Sequence, residues 1–137
     1  MSVLHVFRGL PGSGKSTAAR KLAAEIGAIL IEPDALLVQD GKYQYTPNDY
    51  RIAVFVTGWV LRVLAEWSGC DVIYADVLPK LEDVWRIDGI VRAYIPNIAR
   101  FVHDLKITAE ESKLRNRHNV NPADIDRMAK EWEDWKE

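Results

Sequence analysis

Ten residues near the start of the chain, RGLPGSGKST from Arg8 to Thr17, have the types and spacing needed to hold a row of phosphates. They satisfy the pattern G-x-x-x-x-G-K-[ST], in which glycines let successive backbone N–H groups point inward at phosphate oxygens. Lys15 is expected to reach the β- and γ-phosphates of ATP, and Ser16 is expected to hold Mg²⁺. ATP and Mg²⁺ are therefore the predicted cofactors. The residues predicted to bind ATP are Gly9, Pro11, Gly12, Ser13, Gly14, Lys15, Ser16 and Thr17.

Two aspartates follow short apolar runs and could act beside this loop. Asp34 comes after the run ILIEP, where its carboxylate could take the proton of an acceptor hydroxyl. Helix capping is the alternative role for Asp34, and Glu32 could share the role of base. Asp76 ends the run VIYAD, where it could bind Mg²⁺ or only hydrogen-bond a local turn. We predict Asp34 as the catalytic base, and Asp76 with Ser16 as metal ligands.

A cationic run, KLRNRHNV, follows later in the chain at 113–120. Arg115 and Arg117 are predicted to be catalytic, closing over the γ-phosphate as a lid and stabilising the charge of the transition state. His118 is a weaker candidate for the same contact. The alternative is a helix end that is cationic only because of the helix dipole. Tyr43 and Tyr45 lie in a polar stretch after Asp34, where they could contact the acceptor.

The elements that must position these residues alternate between strands and helices. Apolar runs predict strands at 3–7, 28–31, 71–76 and 101–107. Helical spacing predicts helices at 15–26, 48–67, 79–94, 108–117 and 122–135, with a helical turn through Leu37 and a loop at 39–47. Four tryptophans are expected on apolar helical faces: Trp59, Trp67, Trp132 and Trp135. The order predicts an α/β domain over residues 1–137, with a mostly parallel sheet of four to five strands, flanking helices and a helical lid near the C-terminus.

Composition narrows the class of protein. The chain has 137 residues, of which 48% are apolar, so it can bury a core of its own. Its net charge of −2 argues against a protein that binds polyanions over its whole surface. Cys70 has no second cysteine to pair with, and the apolar runs are shorter than the ~20 residues of a membrane span. We therefore expect a cytoplasmic protein without a membrane partner.

Five segments together resemble a known family. They are the phosphate loop, Asp34, the stretch DGKYQYTP, Asp76 and the C-terminal stretch RNRHNVNPADIDRMAKEWE. The pattern is similar to the polynucleotide-kinase-like P-loop kinases, which include the kinase domain of phage polynucleotide 5′-kinase. The resemblance implies the P-loop kinase fold. It also implies that Asp34 is the general base and that Arg115 and Arg117 contact the phosphates.

The sequence departs from that family in its acceptor half. Leu37 stands where the phage enzyme has an arginine that grips the acceptor phosphate. Asp76 is followed by Val77 and Leu78 instead of threonine and asparagine, and we expect no phosphatase domain. A related group of phage kinases phosphorylates hydroxymethyl groups on modified bases in DNA, and such an acceptor would suit these changes.

The resulting prediction is a kinase that uses ATP and Mg²⁺ to phosphorylate a hydroxyl of a nucleic acid or nucleotide. A 5′-hydroxyl end and a hydroxymethyl base are both possible acceptors. The alternatives are a small-molecule kinase, acting on a nucleoside, sugar or antibiotic, and a regulator that binds ATP without transferring phosphate. The oligomeric state does not follow from the sequence.

Overall fold

The structure is a computed structural model that describes residues 2–116 and 120–136, apart from the side chains of Gln39, Ala65, Trp67 and Ser68. Its strands are β1 (Val3–Gly9), β2 (Ile29–Ile31), β3 (Val38–Gln39), β4 (Lys42–Tyr43), β5 (Val72–Asp76) and β6 (Ala99–Leu105). Its helices are α1 (Lys15–Ile26), α2 (Pro47–Ser68), α3 (Leu81–Arg92), α4 (Ala109–Leu114) and α5 (Pro122–Glu131), with a 3-10 helix at Pro33–Leu37.

Four strands form one parallel sheet in the order β2-β5-β1-β6. Helix α1 packs on one face of this sheet, where Phe7 and Ile73 lie against Ala19. Helices α2 and α3 cover the other face, where Leu4 and Val72 belong to the larger of the two apolar clusters. A parallel sheet covered on both faces confirms the predicted α/β architecture.

The strand register places the candidate functional residues at one edge of the sheet. Arg8 lies opposite Asp76 of β5 on one side and opposite Asp104 of β6 on the other. Because all four strands are parallel, the segments that follow them emerge at the same edge of the sheet. The phosphate loop follows β1, Glu32 and Asp34 follow β2, and Asp76 ends β5.

A small hairpin replaces part of the loop predicted at 39–47. Strands β3 and β4 pair antiparallel through Val38 with Tyr43 and Gln39 with Lys42. The turn residues Asp40 and Gly41 have φ angles of 52° and 74°, as a two-residue hairpin turn requires. The prediction of a plain loop was therefore wrong, because the Asp-Gly signal for a hairpin was flanked by strands too short to recognise.

The last helix ends earlier than predicted. Helix α5 stops at Glu131, and Trp132 is extended with φ −60° and ψ 126°, so the prediction of a helix to residue 135 was wrong. The tail is instead fixed by tertiary contacts: Glu133 N–H donates to the carbonyl of Pro79 at 2.8 Å. The indole of Trp132 stacks on the buried guanidinium of Arg8, 4.2 Å from the ring centre. The favourable contact between the Arg8 guanidinium and the Trp132 ring therefore outweighs the stabilisation that a longer α5 would give.

Three tryptophans do not lie where the helical pattern placed them: Trp132 and Trp135 follow the end of α5, and Trp59 faces outward. Trp59 is 51% exposed on the outer side of α2, so the expectation that it packs in the core was wrong. The side chain of Trp67 lies outside the described residues. Within the described residues, no helix has the length and apolar character to cross a membrane.

Candidate active site at the carboxyl edge of the sheet

The phosphate loop connects β1 to α1 and is closely packed at two of its glycines. A Cβ on Gly9 would lie 2.2 Å from Ser13 Oγ and 2.9 Å from the carbonyl oxygen of Leu105. Gly12 has a φ of 76°, and a Cβ there would lie 2.6 Å from the Cβ of Arg115. A side chain at either position would therefore displace neighbouring atoms. The hydroxyl of Ser13 is buried without a hydrogen-bond partner among the described residues.

Lys15 begins α1 and faces three carboxylates. Burial lowers the pKa of the Lys15 ammonium, while the charges of Asp76, Asp34 and Glu32 act in the opposite direction. These carboxylates belong to the segments after β2 and to the last residue of β5. The structure therefore brings together Lys15, Asp34 and Asp76, which the sequence had selected separately.

Ser16 is hydrogen-bonded to Glu32, because its hydroxyl donates to a carboxylate oxygen of that residue. Arg20 approaches the other oxygen of Glu32 at 3.5 Å. Glu32 was considered in the sequence only as an alternative base. Its contact with the hydroxyl expected to bind Mg²⁺ makes it a candidate metal ligand, a role that its position at the end of a strand could have suggested.

Asp34 lies in the 3-10 helix and accepts a hydrogen bond from the hydroxyl of Tyr43 at 3.1 Å. Tyr43 belongs to the small hairpin, so this bond ties the hairpin to the candidate base. Burial raises the pKa of Tyr43, and the charge of Asp34 raises it further, so the phenol remains a donor. Tyr43 was expected near the acceptor, and the structure places it on Asp34.

Asp76 is only 1% exposed. It accepts hydrogen bonds from the hydroxyl of Tyr50, in the first part of α2, and from the backbone N–H of Val77 at 2.8 Å. Burial raises the pKa of Asp76 to about 7, and the charge of Asp34 adds to the rise. The sequence analysis missed Tyr50, since a single tyrosine near a helix start carries no signal of such a contact.

Helix α4 packs on the phosphate loop through a buried hydrogen bond of 2.6 Å from the Ser112 hydroxyl to the carbonyl of Pro11. Arg115 ends this helix against Gly12. Its side chain is 60% exposed and lies 3.9 Å from Glu111. Arg117 and His118, expected to act with Arg115, lie outside the described residues.

The residues at this edge suit Mg²⁺ that is shared with phosphates. No group of three or more His, Cys, Asp or Glu side chains in the described part of the chain is arranged to hold a metal ion alone. Mg²⁺ in phosphotransfer sites is bound through one or two carboxylates together with substrate phosphates. The pair formed by Ser16 and Glu32 satisfies that requirement.

Residues 4–76, just over half of the chain, match a family described as an AAA domain, AAA_33. The chain belongs to the AAA_33 family. The matched region of this AAA_33 protein runs from β1 to β5 and includes the phosphate loop, Glu32, Asp34 and Asp76.

Solved structures share the fold of this AAA_33 chain at low sequence identity. A chain of the Pnkp1/Rnl/Hen1 RNA repair complex aligns with a TM-score of 0.76 and 19% identity, over 95% of this chain and 43% of that one. A gluconokinase from Sinorhizobium meliloti 1021 aligns with a TM-score of 0.65 and 22% identity, over 97% and 75%. The APS kinase CysC of Mycobacterium tuberculosis, in complex with AMPPNP and APS, gives 0.63 and 21%, over 83% and 68%. The AAA_33 chain thus has the fold of these P-loop kinases, and it spans less than half the length of the RNA repair protein.

Proposed function

We propose that this protein is a kinase that transfers the γ-phosphate of ATP to a hydroxyl of a nucleic acid or nucleotide, with Mg²⁺ as cofactor. The observation that carries the proposal is the convergence of Lys15, Asp34 and Asp76 beside the phosphate loop. A module that only binds ATP has no need for a base on the acceptor side of the lysine. Several neighbours of the same fold are kinases with different acceptors.

In the proposed reaction, the acceptor oxygen bonds to the γ-phosphorus as the bond from that phosphorus to the β-bridging oxygen breaks. The proton of the acceptor hydroxyl passes to the carboxylate of Asp34, and ADP leaves with the electrons of the broken bond. The hydroxyl of Tyr43 holds one oxygen of Asp34 and leaves the other available for the proton. Lys15 and Arg115 supply positive charge to the phosphates.

Ser16 and Glu32 would hold Mg²⁺, with Asp76 as a further ligand acting through water. When bound, the ion neutralises charge on the β- and γ-phosphates. Lys15 lies among three carboxylates, so without a cation the phosphates of ATP would meet net negative charge there. The residues present therefore fit a cation shared between protein and nucleotide.

A small-molecule acceptor is the second candidate, and a buried leucine favours it. Leu37 stands where the resembling phage enzyme has an acceptor-gripping arginine, and it is only 5% exposed. It cannot contact an acceptor phosphate. The net charge of −2 also agrees with a neutral acceptor.

The test measures transfer of radiolabelled γ-phosphate to 5′-hydroxyl DNA, 5′-hydroxyl RNA, hydroxymethylated DNA, nucleosides and gluconate. Phosphorylation of any of the first three supports the proposal, whereas transfer to nucleosides or gluconate alone supports the second candidate. Asp34→Asn should lower kcat by at least 100-fold while ATP still binds, because general-base catalysis contributes about 10²- to 10⁴-fold. Tyr43→Phe should lower kcat less than Asp34→Asn does. Unchanged turnover of the Asp34 variant would exclude that residue as the base.

A further inference from the structure

The outer surface of α2 and α3 carries a groove of about 570 Å³ that the site at the sheet edge does not use. Its α2 wall presents Phe55, Trp59 and Arg62, which are spaced so that they lie on one helix face. Its α3 wall includes Trp85, Arg86 and Gly89. This cluster of aromatic and basic side chains is called the α2–α3 groove below.

The aromatic residues of the α2–α3 groove are exposed to an unusual degree. Phe55 is 70% exposed, and Trp59 and Trp85 are each about half exposed. Large apolar side chains on a helix usually face the core, and a contiguous exposed group marks a surface for binding. The core-facing residues of α2, such as Val54 and Leu61, are buried as expected.

The charged side chains that line the α2–α3 groove are both positive. Arg62 and Arg86 are its charged lining residues, and none of the described residues that line it is a carboxylate. The Arg62 guanidinium lies 5.3 Å from the ring centre of Trp59 and 3.4 Å from that of Tyr94. Its Nε is buried without a hydrogen-bond partner among the described residues. Arg86 has only a partly exposed contact with Asp83, at 3.5 Å.

Partly exposed aromatic rings beside two arginines suit one class of partner in particular. Single-stranded nucleic acid presents bases that stack on aromatic rings and phosphates that attract guanidinium groups. The protein as a whole carries a net charge of −2, so the positive charge of the groove lining is local.

Helix α2 also connects the groove to the candidate active site. Tyr50, which binds Asp76, precedes Phe55 by about 8 Å and Arg62 by about 18 Å along the helix axis. Arg51 is exposed in the intervening turn. A strand with its terminal hydroxyl at Asp34 can therefore pass over the start of α2 and continue along the groove.

We propose that the α2–α3 groove binds the single-stranded part of a nucleic-acid acceptor beyond its phosphorylated end. The proposal rests on the proposed function for its link to catalysis. Binding to the groove itself does not require ATP, so the two can be tested separately.

Gly89 provides a steric test that should not disturb the fold. It is exposed inside α3, and a Cβ placed there meets no atom within 4 Å. Replacing a glycine in a helix by leucine favours the helix, so Gly89→Leu should fill the groove and keep α3 intact. Trp59→Ala removes a stacking ring from the opposite wall.

The first experiment measures fluorescence anisotropy of a labelled oligothymidylate with the full chain, without ATP. Gly89→Leu and Trp59→Ala should each weaken binding about tenfold, since stacking contributes ~1–3 kcal/mol per base. Phe101→Ala is the matched control, because Phe101 is 54% exposed beside His5 on the opposite face of the sheet. Its binding should stay within twofold of the wild type.

Salt dependence gives an independent measure of the charge contact. Arg62→Gln should reduce the slope of log K against log salt concentration by about 0.7, the value for one phosphate contact in a single strand. Trp59→Ala should leave that slope unchanged. Equal binding by all groove variants would overturn the proposal. Tighter binding of a polyglutamate peptide that the same variants abolish would overturn it in favour of an acidic protein partner.

A kinase assay separates this proposal from the proposed function. The groove variants should raise KM for an oligonucleotide and leave transfer to a nucleoside unchanged. If the wild type phosphorylates none of the acceptors but the groove variants weaken its binding to the strand, the proposed function is contradicted. The groove is then still a binding site for single-stranded nucleic acid. If it phosphorylates an oligonucleotide and the groove variants bind strands normally, only the groove proposal is contradicted.

Discussion

The hydroxyl of Tyr50 donates a hydrogen bond to the buried carboxylate of Asp76, and this bond joins the start of α2 to the end of β5. Burial raises the pKa of Tyr50, and the neighbouring charge of Asp76 raises it further, so the phenol stays protonated. The same bond favours the ionised form of Asp76, against the larger effect of burial. Asp76, which the sequence predicted as a metal ligand, is therefore held by Tyr50, which the sequence analysis did not select.

Removing the Tyr50 hydroxyl should destabilise the protein. Tyr50→Phe leaves one oxygen of a buried carboxylate without its donor, which should lower the free energy of unfolding by about 1–3 kcal/mol. Denaturant unfolding near pH 8, where Asp76 is largely ionised, measures this change. Tyr45→Phe is the control, because Tyr45 is a neighbouring tyrosine that is 48% exposed. Equal stability of the two variants would show that the bond contributes nothing.

Gly12 should be essential for ATP binding because of its packing as well as its backbone angle. Gly12→Ala places a Cβ 2.6 Å from the Cβ of Arg115 in a backbone with φ 76°. The new methyl group should push α4 away from the phosphate loop and weaken ATP binding at least tenfold, as measured by calorimetry. Gly27→Ala is the matched control, since Gly27 has φ 68° but open space around it.

The control variant Gly27→Ala should be less stable than the wild type but should still bind ATP. A left-handed residue that acquires a Cβ costs roughly 1–2 kcal/mol, and Gly27 lies at the far end of α1 from the loop. We therefore expect Gly27→Ala to unfold at a lower denaturant concentration and to bind ATP normally. Normal ATP binding by Gly12→Ala would contradict the packing argument.

Two histidines predict how stability depends on pH. His5 Nδ1 and His103 Nε2 are 3.2 Å apart on neighbouring strands. Burial lowers the pKa of each imidazole below its usual value, and the charge of His5 lowers that of His103 further. For these two groups the unfolded chain binds more protons than the folded one as the pH falls below about 6.5, so their contribution to stability decreases on acidification. Asp76, whose pKa is raised to about 7, contributes in the opposite direction over the same range.

Thermal unfolding of the wild type and of His103→Gln between pH 7.5 and 5 isolates the histidine contribution, because Asp76 titrates in both proteins. Each histidine can contribute at most about 1.4 kcal/mol per pH unit, once the pH falls below its unfolded pKa. His103→Gln should reduce the loss of stability at pH 5 relative to pH 7.5, because one of the two titrating rings is removed. An unchanged pH profile in that variant would contradict the assignment.

Much of the fold could be predicted from the sequence, since its signals are local. The run at 3–7 and the spacing of Ala18, Leu22 and Ile26 gave β1 and α1, and the observed bounds of α1 are those predicted. The hairpin was missed because its two strands are only two residues long. The end of α5 could not be predicted, because Trp132 leaves the helix to cover Arg8, more than a hundred residues away in sequence. A helical pattern contains no information about a partner so distant.

The candidate site was predictable in its carboxylates and not in its hydrogen-bond donors. Asp34 and Asp76 follow strands, and parallel strands end at the same edge. Tyr50 could not be selected, because its contact depends on where α2 crosses the sheet. The exposed position of Trp59 was also missed. Helix α2 is apolar on nearly every side, so its sequence resembles that of a fully buried helix and does not indicate which side faces solvent.

The contact between Trp132 and Arg8 should stabilise the whole sheet edge. Arg8 is fully buried, donates to the carbonyl of Leu78 at 2.7 Å, and is 3.2 Å from Asp104. Trp132→Ala would remove the ring that covers this cation and should lower the free energy of unfolding by about 2–4 kcal/mol. Leu114→Ala, at a side chain that is 88% exposed, should change it by less than about 0.5 kcal/mol. Chemical denaturation of both variants measures the difference. If Trp132→Ala unfolds like the wild type, the buried arginine is held by its hydrogen bonds and by Asp104 without help from the ring.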